Sequence, residues 1–231
     1  TEVLYGGAAG GGKSHLMRIV AILLCMEVAG LQVYLFRRVS DDLRKNHLEG
    51  ASGLRAMLAA MTGSGHCKFN DTKGIFEFWN GSKIYLCHCQ HEKDMYKYQG
   101  AEIHVLLMDE LTLFTEPIYK FLRGRVRLGG LKVPPKYKRK LPLILCGSNP
   151  GNIGHVWVKK TFVDFAPPME IVRTAAADGG MLRQYIPAKL ADNPTLTEND
   201  PDYESRLEGL GNPALVAAMK NGDWDIIDGA Y

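Results

Sequence analysis

The eight residues Gly7-Ala8-Ala9-Gly10-Gly11-Gly12-Lys13-Ser14 meet the pattern G-x-x-x-x-G-K-[ST] at every fixed position. Each residue type has a chemical reason to stand there. Glycines let successive backbone N–H groups turn inward around a polyphosphate, and the start of a helix adds partial positive charge. Lys13 is then placed to reach the β and γ oxygens, and the Ser14 hydroxyl to ligate Mg²⁺. His15, the next residue, and Arg37, at the end of the following apolar segment, join the loop as candidate nucleotide contacts. The pattern predicts a site for ATP with Mg²⁺. An ordinary glycine-rich turn is the bland alternative, and the flanks argue against it: the apolar-rich residues 2–5 precede the loop, and helical spacing (Leu16, Met17, Val20, Ala21, Leu23, Leu24) follows it.

Two further clusters end apolar runs. Residues 103–108 lead into Asp109-Glu110, which puts two carboxylates at the tip of a buried strand. Beside a phosphate loop, Asp109 is expected to hold Mg²⁺, directly or through a water. Glu110 is expected to orient and polarise an attacking water, which favours a hydrolase over a small-molecule kinase. Residues 141–146 lead into Gly147-Ser148-Asn149-Pro150-Gly151. Ser148 and Asn149 carry small polar side chains suited to a γ-phosphate or a lytic water, while Asn-Pro-Gly is equally good chemistry for a simple exit turn. Both readings stand at this point.

Cleavage of a γ-phosphate concentrates charge that a guanidinium stabilises, often from a neighbouring subunit. Arg37 and Arg38 close a predicted strand, and Arg123, Arg125 and Arg127 follow the acidic pair on a predicted helix over 116–128. Arg123 and Arg125 are the candidates for that role. Surface solvation, or ion pairs with Asp41, Asp42 or Glu116, is the structural alternative for each arginine taken singly.

The elements that must position these groups read in order as a strand (2–5), the loop, a helix (13–29), a strand (32–37) and helices near 40–47 and 52–61. A hairpin over 74–79 and 82–86 follows, with Asn80-Gly81 predicting a type I′ turn. The runs 103–108 and 141–146 lack alternation, as expected of strands covered on both faces of a parallel sheet. The fold class is therefore α/β: a P-loop NTPase of the ASCE type, with a mainly parallel central sheet, helices on both faces and chemistry at the carboxyl ends of the strands. Residues 1–170 form the expected core. Residues 171–231, punctuated by Asp192-Asn193-Pro194, Asn199-Asp200-Pro201 and Gly211-Asn212-Pro213, read as a small lid or linker subdomain.

Composition bounds the partners. With 231 residues, 46% of them hydrophobic, the chain is long enough for one substantial core. A net charge of +3 permits a nucleic-acid partner without demanding one. Gly129 to Lys140 carries Lys136, Lys138, Arg139 and Lys140 and reads either as a solvated mobile loop or as a contact to a phosphate backbone. Five cysteines and no apolar run of membrane-span length point to a reducing setting. Cys87-His88-Cys89-Gln90-His91, with His66 and Cys67 upstream, lacks C-x-x-C spacing; core cysteines are the better reading than zinc.

Taken in order, the loop at 7–14, Phe36-Arg37-Arg38 with Asp41-Asp42-Leu43, Asn80-Gly81-Ser82, and Tyr98-Gln99-Gly100 ahead of Met108-Asp109-Glu110 form a recognisable set. It continues through Arg123-Gly124-Arg125, Ser148-Asn149-Pro150-Gly151, Trp157, Phe162, Asp192-Asn193-Pro194 and Gly222-Asp223-Trp224. This set resembles the ATPase domain of the large terminase subunit of tailed bacteriophages over nearly the whole chain. The resemblance implies an ATP-driven motor that pumps double-stranded DNA into a procapsid, working as a homo-oligomeric ring on the portal protein. It also implies a small terminase subunit as partner and a place in the host cytoplasm, with no membrane. Lys13 and Ser14 would bind triphosphate and Mg²⁺, Asp109 the metal, Glu110 would be the catalytic carboxylate and Ser148-Asn149 the coupling motif.

Relatives usually continue into a nuclease domain, and this chain ends about where that domain would begin, so it is expected to hydrolyse ATP without cutting DNA. It likewise begins only a few residues before the loop, so the upstream adenine contact of the family is expected to be missing. Gln99 stands where some relatives carry an arginine proposed as a trans-acting finger, which moves that role to Arg123 and Arg125. The alternatives are another nucleic-acid ATPase of the helicase kind and a nucleotide-binding assembly scaffold without turnover.

Overall fold

A computed structural model describes residues 1–209 and 211–225. Residues 210 and 226–231, which fall in the 171–231 segment, lie outside the described residues. The strands are β1 (Glu2–Gly7), β2 (Gln32–Arg37), β3 (Cys67–Asn70), β4 (Ile75–Phe78), β5 (Lys83–His88), β6 (Val105–Asp109), β7 (Leu143–Ser148), β8 (Ile171–Arg173) and β9 (Leu182–Ala188). They form a nine-stranded sheet in the order β3-β4-β5-β2-β6-β7-β1-β9-β8. The pairs β2–β5, β2–β6 and β1–β9 run parallel, while β3–β4, β4–β5 and β8–β9, towards the two edges, run antiparallel. The expected α/β class with a mainly parallel sheet is what the chain adopts.

The chain divides into two compact units. The first comprises Thr1, Ser14–Asp109 and Pro117–Leu145; the second comprises Glu2–Lys13, Glu110–Glu116 and Cys146–Tyr231.

In the first unit, β6 is buried at all five positions, which is why its sequence shows no alternation. The helix that follows the loop, Lys13–Glu27, buries Met17, Ala21, Leu24 and Cys25 at helical spacing. Its C-terminal carbonyls are satisfied from the Asn80-Gly81-Ser82 turn: Asn80 Nδ2 donates to the Cys25 carbonyl at 2.8 Å and Ser82 Oγ to the same oxygen at 2.6 Å. That turn differs from the type I′ expectation. Of the pair, only Gly81 has a positive φ (+81°), the Gly81 amide bonds the Phe78 carbonyl, and the Phe78 amide bonds the Ser82 carbonyl. This is a type I turn closed by a left-handed glycine, a three-residue hairpin loop. Asn80 takes the ordinary conformation while its side chain caps the helix.

The predicted helices at 40–47 and 52–61 are each interrupted. Ser40–Leu43 passes into a π-helical stretch, Arg44–Leu48, and Leu54–Met57 is separated from Ala59–Gly63. The predicted helix over 116–128 ends at Arg123, and Arg125 and Arg127 flank Val126, which forms an isolated parallel bridge with Ile103. Gly124 removes the side chain, and with it the packing, that would carry the helix onward. The cation-rich segment after Gly129 includes a short turn, Pro135–Tyr137, tied to the loop helix: Lys136 Nζ and the Tyr137 hydroxyl each reach Glu27 Oε2 at 2.6 Å.

In the second unit, β1 pairs in register with β9, with Glu2 directly opposite Arg183. Both residues are buried, and the Arg183 guanidinium bonds Glu2 at 2.9–3.0 Å while lying over the Phe162 and Phe165 rings. A buried pair of this kind fixes register because a one-residue slip strands both charges. The segment after residue 170 thus begins with two strands; short helices, Pro194–Asn199, Tyr203–Glu208 and Pro213–Asn221, follow.

Candidate active site

The phosphate-binding pattern lies at the end of β1, in the second unit. The start of the loop is fastened by its amides: Ala8 N donates to the Ala188 carbonyl at 2.8 Å and Ala9 N to the Met219 carbonyl at 2.6 Å. The loop's carbonyls are fastened as well, Gly10 O by Asn193 Nδ2 (2.6 Å) and Gly11 O by the Tyr5 hydroxyl (2.8 Å). Among the described residues, the amides of Gly10, Gly11 and Gly12 make no backbone hydrogen bond. Glycine is required at Gly10, where φ is +75° and a Cβ would come within 2.7 Å of Leu196 Cδ2 and 2.9 Å of Leu190 Cδ1. Lys13 is buried and its Nζ donates to the Ala8 carbonyl at 2.5 Å. Amides without a backbone partner in a glycine-rich loop are suited to accepting a polyphosphate.

Ser14, His15 and Arg37 belong to the first unit with Asp109. Ser14 Oγ lies 3.2 and 3.0 Å from the two Asp109 carboxylate oxygens, so the hydroxyl and the acid predicted to share a cation are in contact. Two hard oxygen donors at this spacing fit Mg²⁺, which favours carboxylate, hydroxyl and water ligands. Arg37 Nη1 stands 3.6 Å from Asp109 Oδ2. His15 is exposed.

Two more basic groups surround Asp109. His47, fully buried, has Nε2 2.8 Å from Asp109 Oδ2, and its Nδ1 has no hydrogen-bond partner among the described residues. An orphaned buried nitrogen of this kind costs about 1–3 kcal/mol. Arg18, one turn beyond Ser14, bonds the Asn46 carbonyl at 2.8 Å and Ser52 Oγ at 3.4 Å, fastening the π-helical stretch that carries His47. Burial by itself would push the Asp109 carboxyl up. The His47 hydrogen bond and charge, then the Arg37 charge and the Ser14 hydroxyl, outweigh it and hold the group below the ordinary carboxylate value. His47 belongs to no motif; its sequence signal is a polar residue four after Leu43 and one before Leu48, on a stripe otherwise apolar.

Glu110, counted in the second unit, departs from β6 in the left-handed region (φ 55°, ψ 56°). A non-glycine residue there costs of order 1–3 kcal/mol, and such strain concentrates at functional sites. The turn Leu111–Leu113 follows. Within it Thr112 gathers the predicted coupling residues. Its amide bonds Ser148 Oγ at 3.0 Å, its hydroxyl lies 2.9 Å from the same oxygen, and that hydroxyl also donates to the Asn149 carbonyl at 3.1 Å. The Gly154 amide bonds the Thr112 carbonyl at 2.7 Å and Trp157 Nε1 the Phe114 carbonyl at 3.0 Å. Asn149 Oδ1 is buried and has no hydrogen-bond partner among the described residues. Ser148 and Asn149 are thus bonded to the segment that follows the acidic pair.

Arg123 lies over the Tyr119 ring at 5.8 Å. Arg125 lies over Phe121 at 5.1 Å, and its Nη1 donates to the Gln99 carbonyl at 3.1 Å. All five cysteines are free and buried; burial pushes the Cys25 and Cys87 thiols up to about 12. No described helix is long and apolar enough to cross a membrane.

No family model and no curated protein matches the chain. Solved structures do. The large terminase of a thermophilic bacteriophage superposes with a TM-score of 0.68 at 15% identity over 96% of this chain and 48% of that one. The same protein in complex with ATP-γ-S gives 0.65 at 15% identity over 96% and 47%. The ATPase domain of the large terminase of a Thermus phage gives 0.57 at 12% identity over 96% and 88%. The chain spans about half the length of the first of these terminases. It has the fold of the ATPase domains of phage large terminases, a P-loop NTPase fold.

Proposed function

We propose that the chain is the ATP-hydrolysing motor domain of a viral large terminase, coupling Mg-ATP hydrolysis to movement of double-stranded DNA into a procapsid. The observation that carries this reading is the contact of the Ser14 hydroxyl with both Asp109 oxygens, in a chain whose glycine loop keeps three amides unclaimed. The loop amides and Lys13 take the triphosphate oxygens, and Ser14 with Asp109 holds the metal. Held there, Mg²⁺ would supply neutralisation of the negative charge on the phosphate. Glu110 accepts a proton from the attacking water and aligns it, leaving ADP and phosphate. Ser148 and Asn149 read the presence of the γ-phosphate, and their bonds to Thr112 tie that reading to the backbone beside Glu110.

Arg37 answers charge on the metal side. Arg123 and Arg125 serve a neighbouring subunit in a homo-oligomeric ring. Arg125 is held at the carbonyl of Gln99, the residue that by resemblance stands where some relatives carry an arginine. Portal protein, procapsid, small terminase subunit and DNA are the partners, in the host cytoplasm. Residues 171–231 are the lid or linker. Steady-state ATP hydrolysis against protein concentration, with and without Mg²⁺ and double-stranded DNA, tests the proposal. A Mg²⁺-dependent rate per molecule that climbs with concentration is expected. Clear ATP binding without turnover under every condition would sink the motor reading in favour of a scaffold.

A further inference from the structure

We infer that His47 is a positioning residue for Asp109, and that it sets which carboxylate oxygen is offered to a divalent cation. The inference rests on the proposed role of Asp109 as the metal-side acid. Among the described residues, Asp109 Oδ2 receives His47 Nε2 at 2.8 Å, faces Arg37 Nη1 at 3.6 Å and lies 3.0 Å from Ser14 Oγ. Among the described residues, the hydrogen bond shown for Oδ1 is to Ser14 Oγ at 3.2 Å. An ionised carboxylate only accepts hydrogen bonds, so the shared proton belongs to Nε2. Oδ2 is thereby anchored and the rotamer fixed, leaving Oδ1 as the oxygen able to exchange its hydroxyl contact for a cation or a cation-bound water.

The support behind His47 is built for placement. It sits in the π-helical stretch Arg44–Leu48, where one extra residue in the turn re-aims a side chain relative to an α-helix. Arg18, on the loop's own helix, fastens that stretch through the Asn46 carbonyl. The ring is fully buried, and among the described residues Nδ1 goes without a partner while Nε2 keeps its bond to Asp109. Outer partners that orient a ligating group typically change metal affinity ten- to a hundredfold when removed.

The test compares the unsubstituted chain with His47→Asn and His47→Gln. The glutamine amide nitrogen stands about where Nε2 stands, whereas the asparagine nitrogen stands about where Nδ1 stands and falls short of Asp109. Binding of a fluorescent ATP analogue is titrated with Mg²⁺, and folding is checked by urea denaturation. Nucleotide affinity without Mg²⁺ is expected to agree within about twofold for all three. The half-saturating Mg²⁺ concentration is expected to rise at least tenfold in His47→Asn and to return to within about threefold in His47→Gln. A folded His47→Asn chain with an unchanged Mg²⁺ requirement overturns the inference alone. So does a folded His47→Gln chain whose half-saturating Mg²⁺ concentration rises tenfold or more, which keeps the test decisive should His47→Asn not fold. Mg²⁺-independent binding by the unsubstituted chain overturns the metal-site reading itself, and this inference with it.

Discussion

Asp109 and the glycine loop treat their polar groups in opposite ways. Around Asp109, a hydroxyl, an imidazole and a guanidinium from three different elements converge on one buried carboxylate. In the loop, the amides of Gly10 to Gly12 have no backbone partner among the described residues, while the flanking groups at Ala8, Ala9 and the Gly10 and Gly11 carbonyls are all bonded. The first region is already electrostatically complete, and accepting a cation there means exchanging one contact for another. In the second, a polyphosphate adds bonds to the loop amides and displaces only the Lys13 Nζ bond to the Ala8 carbonyl. Preorganised donors of that kind bind charge without reorganising. Mutations in the two regions should therefore separate into those that damage the fold and those that damage only binding.

The widest separation is expected at Lys13. Lys13→Ala removes a point charge aimed at phosphate, with a loss of about 2–4 kcal/mol, or at least thirtyfold in affinity for a non-hydrolysable ATP analogue by calorimetry. Its urea midpoint is expected to stay close to that of the unsubstituted chain. Asp109→Asn should do the reverse in the absence of nucleotide: with the charge gone from among His47, Arg37 and Ser14, unfolding free energy is expected to fall by roughly 2 kcal/mol. If Asp109→Asn proves as stable as the parent, the two regions do not differ as described. A smaller change is expected from Thr112→Val, which keeps shape but deletes the hydroxyl that meets Ser148 Oγ and the Asn149 carbonyl. About 1 kcal/mol of stability should be lost. Single-turnover hydrolysis should slow severalfold with nucleotide affinity intact; equal losses in both would deny Thr112 a link to the acidic pair.

The loop was legible because its chemistry is local: four fixed positions fall within eight consecutive residues, and the strand before and helix after are set by short-range patterning. Asp109 was legible for a related reason, since a strand buried at every position ends in an acid. The hairpin at 75–88 was legible, but its turn type was not, because Asn80 is committed to the Cys25 carbonyl 55 residues away. Long-range partners also hid the Glu2–Arg183 pair, where two charged residues 181 apart in the sequence meet in the interior. The helix expected to run to 128 stops at Arg123 because the chain turns to bridge Ile103, which sends Arg125 to the Gln99 carbonyl. His47 was invisible for the same reason: its partner is 62 residues distant and the π-helical turn that aims it has no sequence signature.

The central claim is that this chain both binds and hydrolyses ATP, with Glu110 acting on the water. It is tested most directly by measuring binding and turnover on the same preparation of Glu110→Gln. Removing the carboxylate's basicity while keeping its shape is predicted to leave Mg-ATP affinity within about threefold and to lower turnover by about 10²-fold or more. Turnover equal to that of the unsubstituted chain would contradict the account.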